Sequence, residues 1–207
     1  MRLLMVRHGQ TRANTEMRLA GWTDDPLDET GRRQAEEVAQ FLADEGEVEA
    51  VYASPLQRTR ATADAIATAL GAPTVIENAA LRERHFGIFE NQVFSSIAEQ
   101  YPDMAEAWAT RGAIDWGPPE GELPHEFVDR ILGALGEITE RHQGDGRVIV
   151  VTHGGVIAVA LAAWLTDDPS RWREFFVNNC SVTEVEFLSA PSLVRLNACV
   201  TPDEVGQ

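Results

Sequence analysis

Short apolar runs alternate with amphipathic segments along most of this chain. Four runs have the length and the β-branched or aromatic content of buried strands, namely residues 3–6, 50–53, 74–76 and 148–152. Between the first two, apolar residues recur at the i, i+3, i+4, i+7 spacing of one helix face: Ala35, Val38, Ala39 and Leu42. This alternation predicts an α/β fold with a mainly parallel sheet, which we expect to form a three-layer αβα sandwich.

The segment 54–71, SPLQRTRATADAIATALG, carries the signals of a complete helix. Ser54 is the predicted N-cap, Pro55 takes the first helical position and Gly71 ends the helix. Arg58 then falls in the first turn, close to the C-terminal end of the preceding strand.

The pattern changes over residues 82–145, where Trp108, Trp116 and a turn at 117–124 lie among several helical segments. This stretch is too long for a simple crossover helix. We interpret it as a helical insertion that covers the C-terminal ends of the strands.

The last part of the chain predicts a helix and a hairpin. Residues 156–165 are apolar on all sides, as in a buried helix. Residues 183–188 and 193–198 alternate in polarity around a short turn, which predicts two antiparallel strands at the edge of the sheet. Such an edge is a surface through which a homodimer could form.

Composition limits the class of protein. With 207 residues of which 44% are hydrophobic, the chain can bury one core, so we expect a single domain over residues 1–207. The net charge of −16 argues against nucleic acid or an anionic membrane as a partner. Two cysteines form no disulfide framework, no signal peptide is recognised, and the longest apolar run is too short to cross a bilayer. We therefore expect a cytoplasmic protein.

All 17 basic residues are arginine, and the chain contains no lysine. Genomic base composition explains this most simply, and adaptation to salt is the alternative. In either case chemistry that depends on lysine, such as a Schiff base or a P-loop, is excluded.

Polar residues follow the predicted strands where ligands bind in open parallel sheets. The first strand ends in Arg7-His8-Gly9, Arg58 follows the second, Glu83 the third and His153 the fourth. Each alone has an ordinary structural interpretation. Together they suggest an anion site, because two neighbouring buried arginines require a compensating charge, and phosphate matches the guanidinium fork.

Five sequence blocks resemble the histidine phosphatase superfamily, in the phosphoglycerate-mutase-like branch. They are RHGQTRAN at 7–14, AGW at 20–22, SPLQRTRATA at 54–63, LRERHFGIFEN at 81–91 and VTHGG at 151–155. The blocks follow the order of the family and cover almost the whole chain.

The resemblance implies a role for each matched residue. His8 matches the nucleophile that is transiently phosphorylated, Glu83 the general acid and His153 the second histidine of the pocket. Arg7 and Arg58 match the phosphate-binding arginines. Further substrate contacts are implied for Asn14, for Gly21 of the AGW block and for the main chain at Gly154. The resemblance implies a small-molecule phosphomonoester as substrate, and neither a metal ion nor another cofactor.

This chain departs from the family pattern at one place and offers a second candidate for the general acid. The family commonly has Glu-Gly where this chain has Glu90-Asn91, so we expect an altered turn. Glu90 is also the rival to Glu83 as general acid. Substrate choice is expected to lie in the insertion, with these candidates: Arg84, His85, Phe89, Trp116, Glu120, Glu122 and His125.

Three functions remain open. A phosphatase is favoured, because the mutases of the family typically are longer and carry a substrate-binding lysine. Its substrate would be a small phosphorylated metabolite, such as a sugar phosphate or α-ribazole phosphate, or a broad range of them. A phosphoglycerate mutase is the first alternative, and a non-catalytic module that binds a phosphorylated ligand is the second.

Overall fold

The computed structural model describes residues 1–71, 74–103, 106 and 117–199. At its centre lies a six-stranded sheet of order β3-β2-β4-β1-β5-β6. The strands are β1 (Arg2–Arg7), β2 (Ala50–Ala53), β3 (Ile76–Glu77), β4 (Arg147–Thr152), β5 (Val182–Phe187) and β6 (Pro191–Ala198).

The first four strands run parallel to one another, and β5 runs antiparallel to both of its neighbours, β1 and β6. β4 lies between β1 and β2, with Val6 and Ala53 both in register with Val151. β5 pairs antiparallel with β1, and β6 continues the sheet as a hairpin. The predicted mixed sheet with an antiparallel edge is thereby confirmed. The third strand covers Ile76–Glu77 instead of the predicted 74–76, and its two residues are exposed at the other edge rather than buried.

Six helices lie wholly within the described residues. They are α1 (Arg12–Thr15), α2 (Glu29–Asp44), α3 (Gln57–Ala69), α4 (Phe94–Gln100), α5 (Pro124–Arg141) and α6 (Gly154–Thr166). Three 3₁₀ segments accompany them, at Ala79–Leu81, Gly87–Phe89 and Pro169–Phe175.

The helices pack on both faces of the sheet. Successive strand residues point to opposite faces, so Leu4 and Val6 meet α2 and α3 while Leu3 and Met5 meet α5 and α6. The helix pattern read from the sequence holds, since all four apolar positions of α2 are buried in the first of these cores. The predicted three-layer αβα sandwich is confirmed.

Helix α3 begins later than its sequence signals predict. Its first residue is Gln57, and no side chain of the preceding residue caps it. Instead the Asp24 carboxylate accepts the Gln57 N–H at 2.7 Å. Ser54 therefore does not cap α3, and its hydroxyl contacts the ring of His153 instead.

Part of the segment 82–145 packs directly against the sheet. The second half of helix α5 does so through Ala134, Leu135 and Ile138. Trp108 and Trp116 lie outside the described residues. The extent of the insertion stays a prediction. Within the described ranges, no helix is both long enough and apolar enough to cross a membrane.

Candidate active site

Three parallel strands deliver polar residues to one end of the sheet. His8 follows β1, Ser54 follows β2 and His153 follows β4. The rings of His8 and His153 lie 5.2 Å apart, centre to centre, at the floor of a cavity of about 260 Å³. Register explains their meeting, because adjacent parallel strands end together.

His8 is held in one orientation by the main chain. Its Nδ1 lies 2.8 Å from the carbonyl oxygen of Gly9, so a neutral ring donates there and keeps the lone pair on Nε2. Burial, followed by the charges of Arg58 and Arg7, holds the pKa of His8 well below its usual range. Gly9 is required at this turn, because a Cβ would lie 2.4 Å from the carbonyl oxygen of Gly31.

The two arginines of the cavity are anchored by carbonyl groups. Arg58 is 1% exposed, and its two Nη atoms donate to the carbonyls of Thr23 and Gly21 at 2.7 Å each. Arg7 donates from Nη1 to the Val177 carbonyl at 2.7 Å. Burial lowers the pKa of both arginines, and Glu83 opposes this effect in both cases. In each guanidinium the buried Nε has no partner among the described residues.

His153 presents a third donor without a partner. Its Nε2 lies 3.0 Å from the Ser54 hydroxyl, while its buried Nδ1 has no partner in the described part of the chain. Burial and the neighbouring Arg58 hold the pKa of His153 well below its usual range, so the ring is neutral. A neutral ring whose Nε2 accepts from Ser54 carries its proton on Nδ1.

Glu83 lines the same cavity and is fixed by two main-chain groups. Its Oε1 accepts the N–H of Arg84 at 2.9 Å, and its Oε2 accepts the N–H of Gly155 at 3.0 Å. Gly155 lies in the first turn of α6, where helix N–H groups lack intrahelical acceptors. A Cβ at this position would lie 2.4 Å from Oε1, so glycine makes room for the carboxyl group.

The remaining implied contacts also reach the cavity: Asn14, Gly21 and Gly154 all line it. Asn14 Oδ1 accepts the Thr11 N–H at 3.0 Å, which leaves the Asn14 amide nitrogen as a donor towards a ligand. Gly21 adopts φ +51° and directs its carbonyl to Arg58. Gly154 begins α6 and lies against the Arg7 side chain.

These features together suit a tetrahedral anion. Besides Trp172 Nε1, three buried N–H groups on side chains of this cavity have no partner within the described ranges: Arg7 Nε, Arg58 Nε and His153 Nδ1. Buried donors are rarely left without acceptors. A group with several oxygens and negative charge, placed beside His8 Nε2, would accept from all three and balance both guanidinium charges.

Comparison with known proteins agrees with this geometry. The family model described as histidine phosphatase superfamily (branch 1) matches residues 3–198. The chain belongs to the histidine phosphatase superfamily.

Relatives in this superfamily carry several activities in their names. A metal-independent phosphoserine phosphatase of Arabidopsis thaliana is 38% identical over 75% of this chain and 65% of its own length. The chain therefore spans about two thirds of that relative. The probable phosphoglycerate mutase GpmB of Escherichia coli is 33% identical over 90% of this chain and 85% of its own. Among solved structures, a mycobacterial glucosyl-3-phosphoglycerate phosphatase superposes with a TM-score of 0.85 at 29% identity, covering 95% of this chain and 99% of the other.

Glu90 is the alternative candidate for the general acid, but in this histidine phosphatase its carboxylate makes hydrogen bonds outside the cavity. Its Oε1 accepts the N–H groups of Trp22 at 2.8 Å and Phe86 at 3.1 Å, and its Oε2 accepts the Thr23 hydroxyl at 3.2 Å. Unlike Glu83, it does not line the cavity. Asn91, which stands where the family commonly has glycine, adopts φ +62°, a conformation that favours glycine or asparagine.

The candidates for substrate choice are spread widely. Arg84 lines the cavity, and burial lowers its pKa to about 10. Phe89 is fully buried beside Ile97, and Glu122 forms a two-pronged ion pair with Arg130. The other described candidates, His85, Glu120 and His125, do not line the cavity. Trp116 lies outside the described residues.

Sequence reasoning missed several residues of the site. Asn179 donates to the His8 carbonyl at 2.9 Å, and Ser54 orients His153. Aromatic residues from two further segments line the cavity, namely Phe127 of α5 and, in or directly after the 3₁₀ segment Pro169–Phe175, Trp172 and Phe176. A double asparagine and an aromatic cluster were visible in the sequence, but only long-range packing associates them with the strand ends. Among the described residues, no group of three or more His, Cys, Asp or Glu side chains is placed to hold a metal ion.

Proposed function

We propose that this protein is a phosphomonoesterase that hydrolyses a small phosphorylated metabolite through a phosphohistidine at His8, without a metal ion. The observation that carries the proposal is the set of three unpartnered donors, on Arg7, Arg58 and His153, that line the cavity beside the neutral His8. Membership of the superfamily and the relatives named as phosphatases support it.

The first step transfers the phosphoryl group to the enzyme. The Nε2 lone pair of His8 bonds to phosphorus while the bond from phosphorus to the alcohol oxygen breaks. Glu83 donates a proton to that oxygen and becomes a carboxylate. Arg7, Arg58 and His153 donate to the non-bridging oxygens, where the loose transition state concentrates charge.

The second step restores the enzyme. The Glu83 carboxylate takes a proton from a water molecule, whose oxygen then bonds to phosphorus. The bond between phosphorus and Nε2 breaks, and its electron pair returns to His8. Inorganic phosphate leaves, with Glu83 protonated again for the next turnover.

A phosphate-release screen with and without EDTA tests the activity. The panel contains sugar phosphates, phosphoglycerates, nucleotides and α-ribazole phosphate. We expect EDTA to leave the rate of phosphate release unchanged. Loss of activity in EDTA would overturn the metal-independent mechanism. Phosphoprotein trapped by quenching in base, and lost when the quenched sample is acidified, should form in the wild type and be absent in His8→Asn. His125→Asn, at an exposed histidine away from the cavity, is the matched control.

The same panel separates the two alternatives. Interconversion of 2- and 3-phosphoglycerate that outpaces phosphate release would establish a mutase. Tight phosphate binding with no release from any ester would establish a binding module. Against the mutase stands the absence of lysine from the chain, and against the module stands the presence of every implied catalytic side chain.

We further infer how the enzyme is organised in the cell. Residues 1–207 form one domain with a cap insertion at about 82–145. The enzyme works in the cytoplasm, since Cys180 and Cys199 form no disulfide with each other, and it binds neither nucleic acid nor membranes. The exposed Leu193, Val194 and Leu196 of edge strand β6 support a homodimer, which sedimentation of wild type and Val194→Glu would test.

A further inference from the structure

The cavity extends beyond the phosphate-binding groups into an apolar wall. The residues of this wall that matter here are Phe86, Phe127, Val159, Trp172 and Phe176. Most of the wall comes from α5, α6 and the 3₁₀ segment Pro169–Phe175, away from the strand ends that carry His8 and His153. The enzyme thus offers a hydrophobic surface to whatever alcohol the phosphate is attached to.

The wall is well supported from behind. Trp172 packs against a buried cluster that contains Phe127, Val156 and Val159. Asp168 begins the 3₁₀ segment and accepts the Ser170 N–H at 3.0 Å. A supported surface of this kind can bind a ligand without losing much conformational entropy.

The wall adjoins the phosphate site directly. Phe176 is 69% exposed, and its ring centre lies 5.9 Å from the Arg7 guanidinium carbon. The next residue, Val177, accepts the Arg7 hydrogen bond at 2.7 Å. A group attached to a phosphate at Arg7 would therefore meet Phe176 first.

The indole N–H of Trp172 calls for a hydrogen-bond acceptor. Its indole Nε1 is buried and has no hydrogen-bond partner within the described ranges, although its ring lines the cavity. Buried indole N–H groups usually find an acceptor. An oxygen on the ligand would supply one.

The other arginines of the cavity already contact the protein. Arg18 pairs with Glu16, Arg84 donates to the Glu122 carbonyl at 3.2 Å, and the Arg173 guanidinium lies 5.3 Å from the centre of the Trp172 ring. A second anionic group on the substrate would compete with these contacts. The wall therefore fits an uncharged alcohol better than a charged one.

From these observations we propose that the wall is a subsite for the alcohol part of the substrate, and that it selects an uncharged ring with an apolar face and at least one hydrogen-bond acceptor. The proposal rests on the phosphatase function for its place in the reaction. A sugar ring or a hydroxylated aromatic alcohol has this chemistry, whereas serine and glycerate lack the ring and carry charge.

Binding of non-hydrolysable phosphonates tests the subsite without catalysis. By titration calorimetry, wild type should bind benzylphosphonate about tenfold more tightly than methylphosphonate, because the benzyl ring would be buried against Phe176 and Trp172. Phe176→Ala should remove most of that ratio, whereas Leu188→Ala, at an exposed apolar residue of the β-hairpin, should leave it unchanged. Equal affinity of wild type for the two phosphonates would overturn the subsite.

Kinetics test the selection of substrate. The kcat/KM of wild type for benzyl phosphate and glucose 6-phosphate should exceed that for glycerol 2-phosphate and O-phosphoserine. Trp172→Phe should lower kcat/KM for glucose 6-phosphate more than for benzyl phosphate, since only the sugar offers the indole several oxygens. A preference for O-phosphoserine would overturn the inference and indicate a site that recognises charge. A retained benzylphosphonate preference with no hydrolysis of any ester would overturn the phosphatase function alone.

Discussion

The Glu90 carboxylate accepts the main-chain N–H of Trp22 at 2.8 Å, and this contact connects two parts of the site that the sequence keeps apart. The loop around Trp22 supplies the carbonyls of Gly21 and Thr23 that hold Arg58. Trp22 also donates from its indole N–H to the Glu83 carbonyl at 2.7 Å. Glu90 thus helps to hold the loop that contacts both the Arg58 guanidinium and the Glu83 main chain.

Replacing Glu90 with glutamine should weaken phosphate binding. The amide NH₂ cannot accept all the N–H and O–H groups that now point at the carboxylate, and hydrogen bonds to a charged acceptor contribute about 1.5–3 kcal/mol each. We expect the inhibition constant for inorganic phosphate to rise about tenfold or more. Glu77→Gln, which removes an exposed ion pair with Arg60, is the matched control. If the inhibition constant for inorganic phosphate is unchanged in Glu90→Gln, Glu90 has no positioning role. This holds whatever effect the substitution has on thermal stability.

Ser54→Ala should disturb the protonation of His153 rather than its place. Without the hydroxyl 3.0 Å away, the neutral ring is free to carry its proton on Nε2, which would leave Nδ1 with no hydrogen to donate. We expect kcat to fall about tenfold, a modest share of what one oxyanion donor contributes. Steady-state kinetics beside Ser96→Ala, on the distant helix α4, measure the effect. Equal rates in the two variants would show that Ser54 does not set the tautomer.

Glu83→Gln should separate the two chemical steps. Nitrophenolate needs no proton to leave, so 4-nitrophenyl phosphate should still phosphorylate His8, while hydrolysis of the phosphohistidine should slow about 10²–10⁴-fold without its general base. Stopped-flow absorbance should then show a burst of nitrophenolate close to one equivalent per enzyme. With an alkyl phosphate the variant should show no burst. A uniform loss with both substrates would contradict the role of Glu83 as acid and base.

The buried histidines should make the fold sensitive to mild acid. Their pKa values are lowered in the folded chain, so below pH about 6.5 the unfolded chain binds protons that the folded chain does not. Their contribution to stability is complete above pH about 6.5 and is lost as the pH falls below it. Each should reduce the free energy of unfolding by about 1.4 kcal/mol per pH unit there.

Denaturant titrations between pH 7.5 and 5.5 measure this slope. The slope of His8→Asn should be shallower than that of the wild type by the share of one histidine, and His125→Asn should retain the full slope. Identical slopes in wild type and His8→Asn would show that His8 protonates alike in both states.

Local patterns carried much of the information about this protein. Apolar runs and helix periodicity predicted the sheet, its antiparallel edge and the packed faces of the helices. All three features depend on the spacing of neighbouring residues. The strand-end rule brought Arg7, His8, Arg58 and His153 to one place, since parallel strands deliver their C-terminal residues to one edge. Local signals were less reliable at the start of α3, where Asp24 from another loop replaced the expected cap of Ser54.

The sequence by itself determined the fold class, the family and the group of polar residues that meet in the cavity. Only the tertiary structure decided that Glu83 and not Glu90 faces the cavity, that Ser54 serves His153, and that Phe127, Trp172 and Phe176 form its apolar wall. The physical reason is the distance along the chain. Periodicity and motifs record what neighbours in sequence need from one another, whereas the orientation of a carboxylate and the lining of a cavity depend on contacts between residues far apart in sequence.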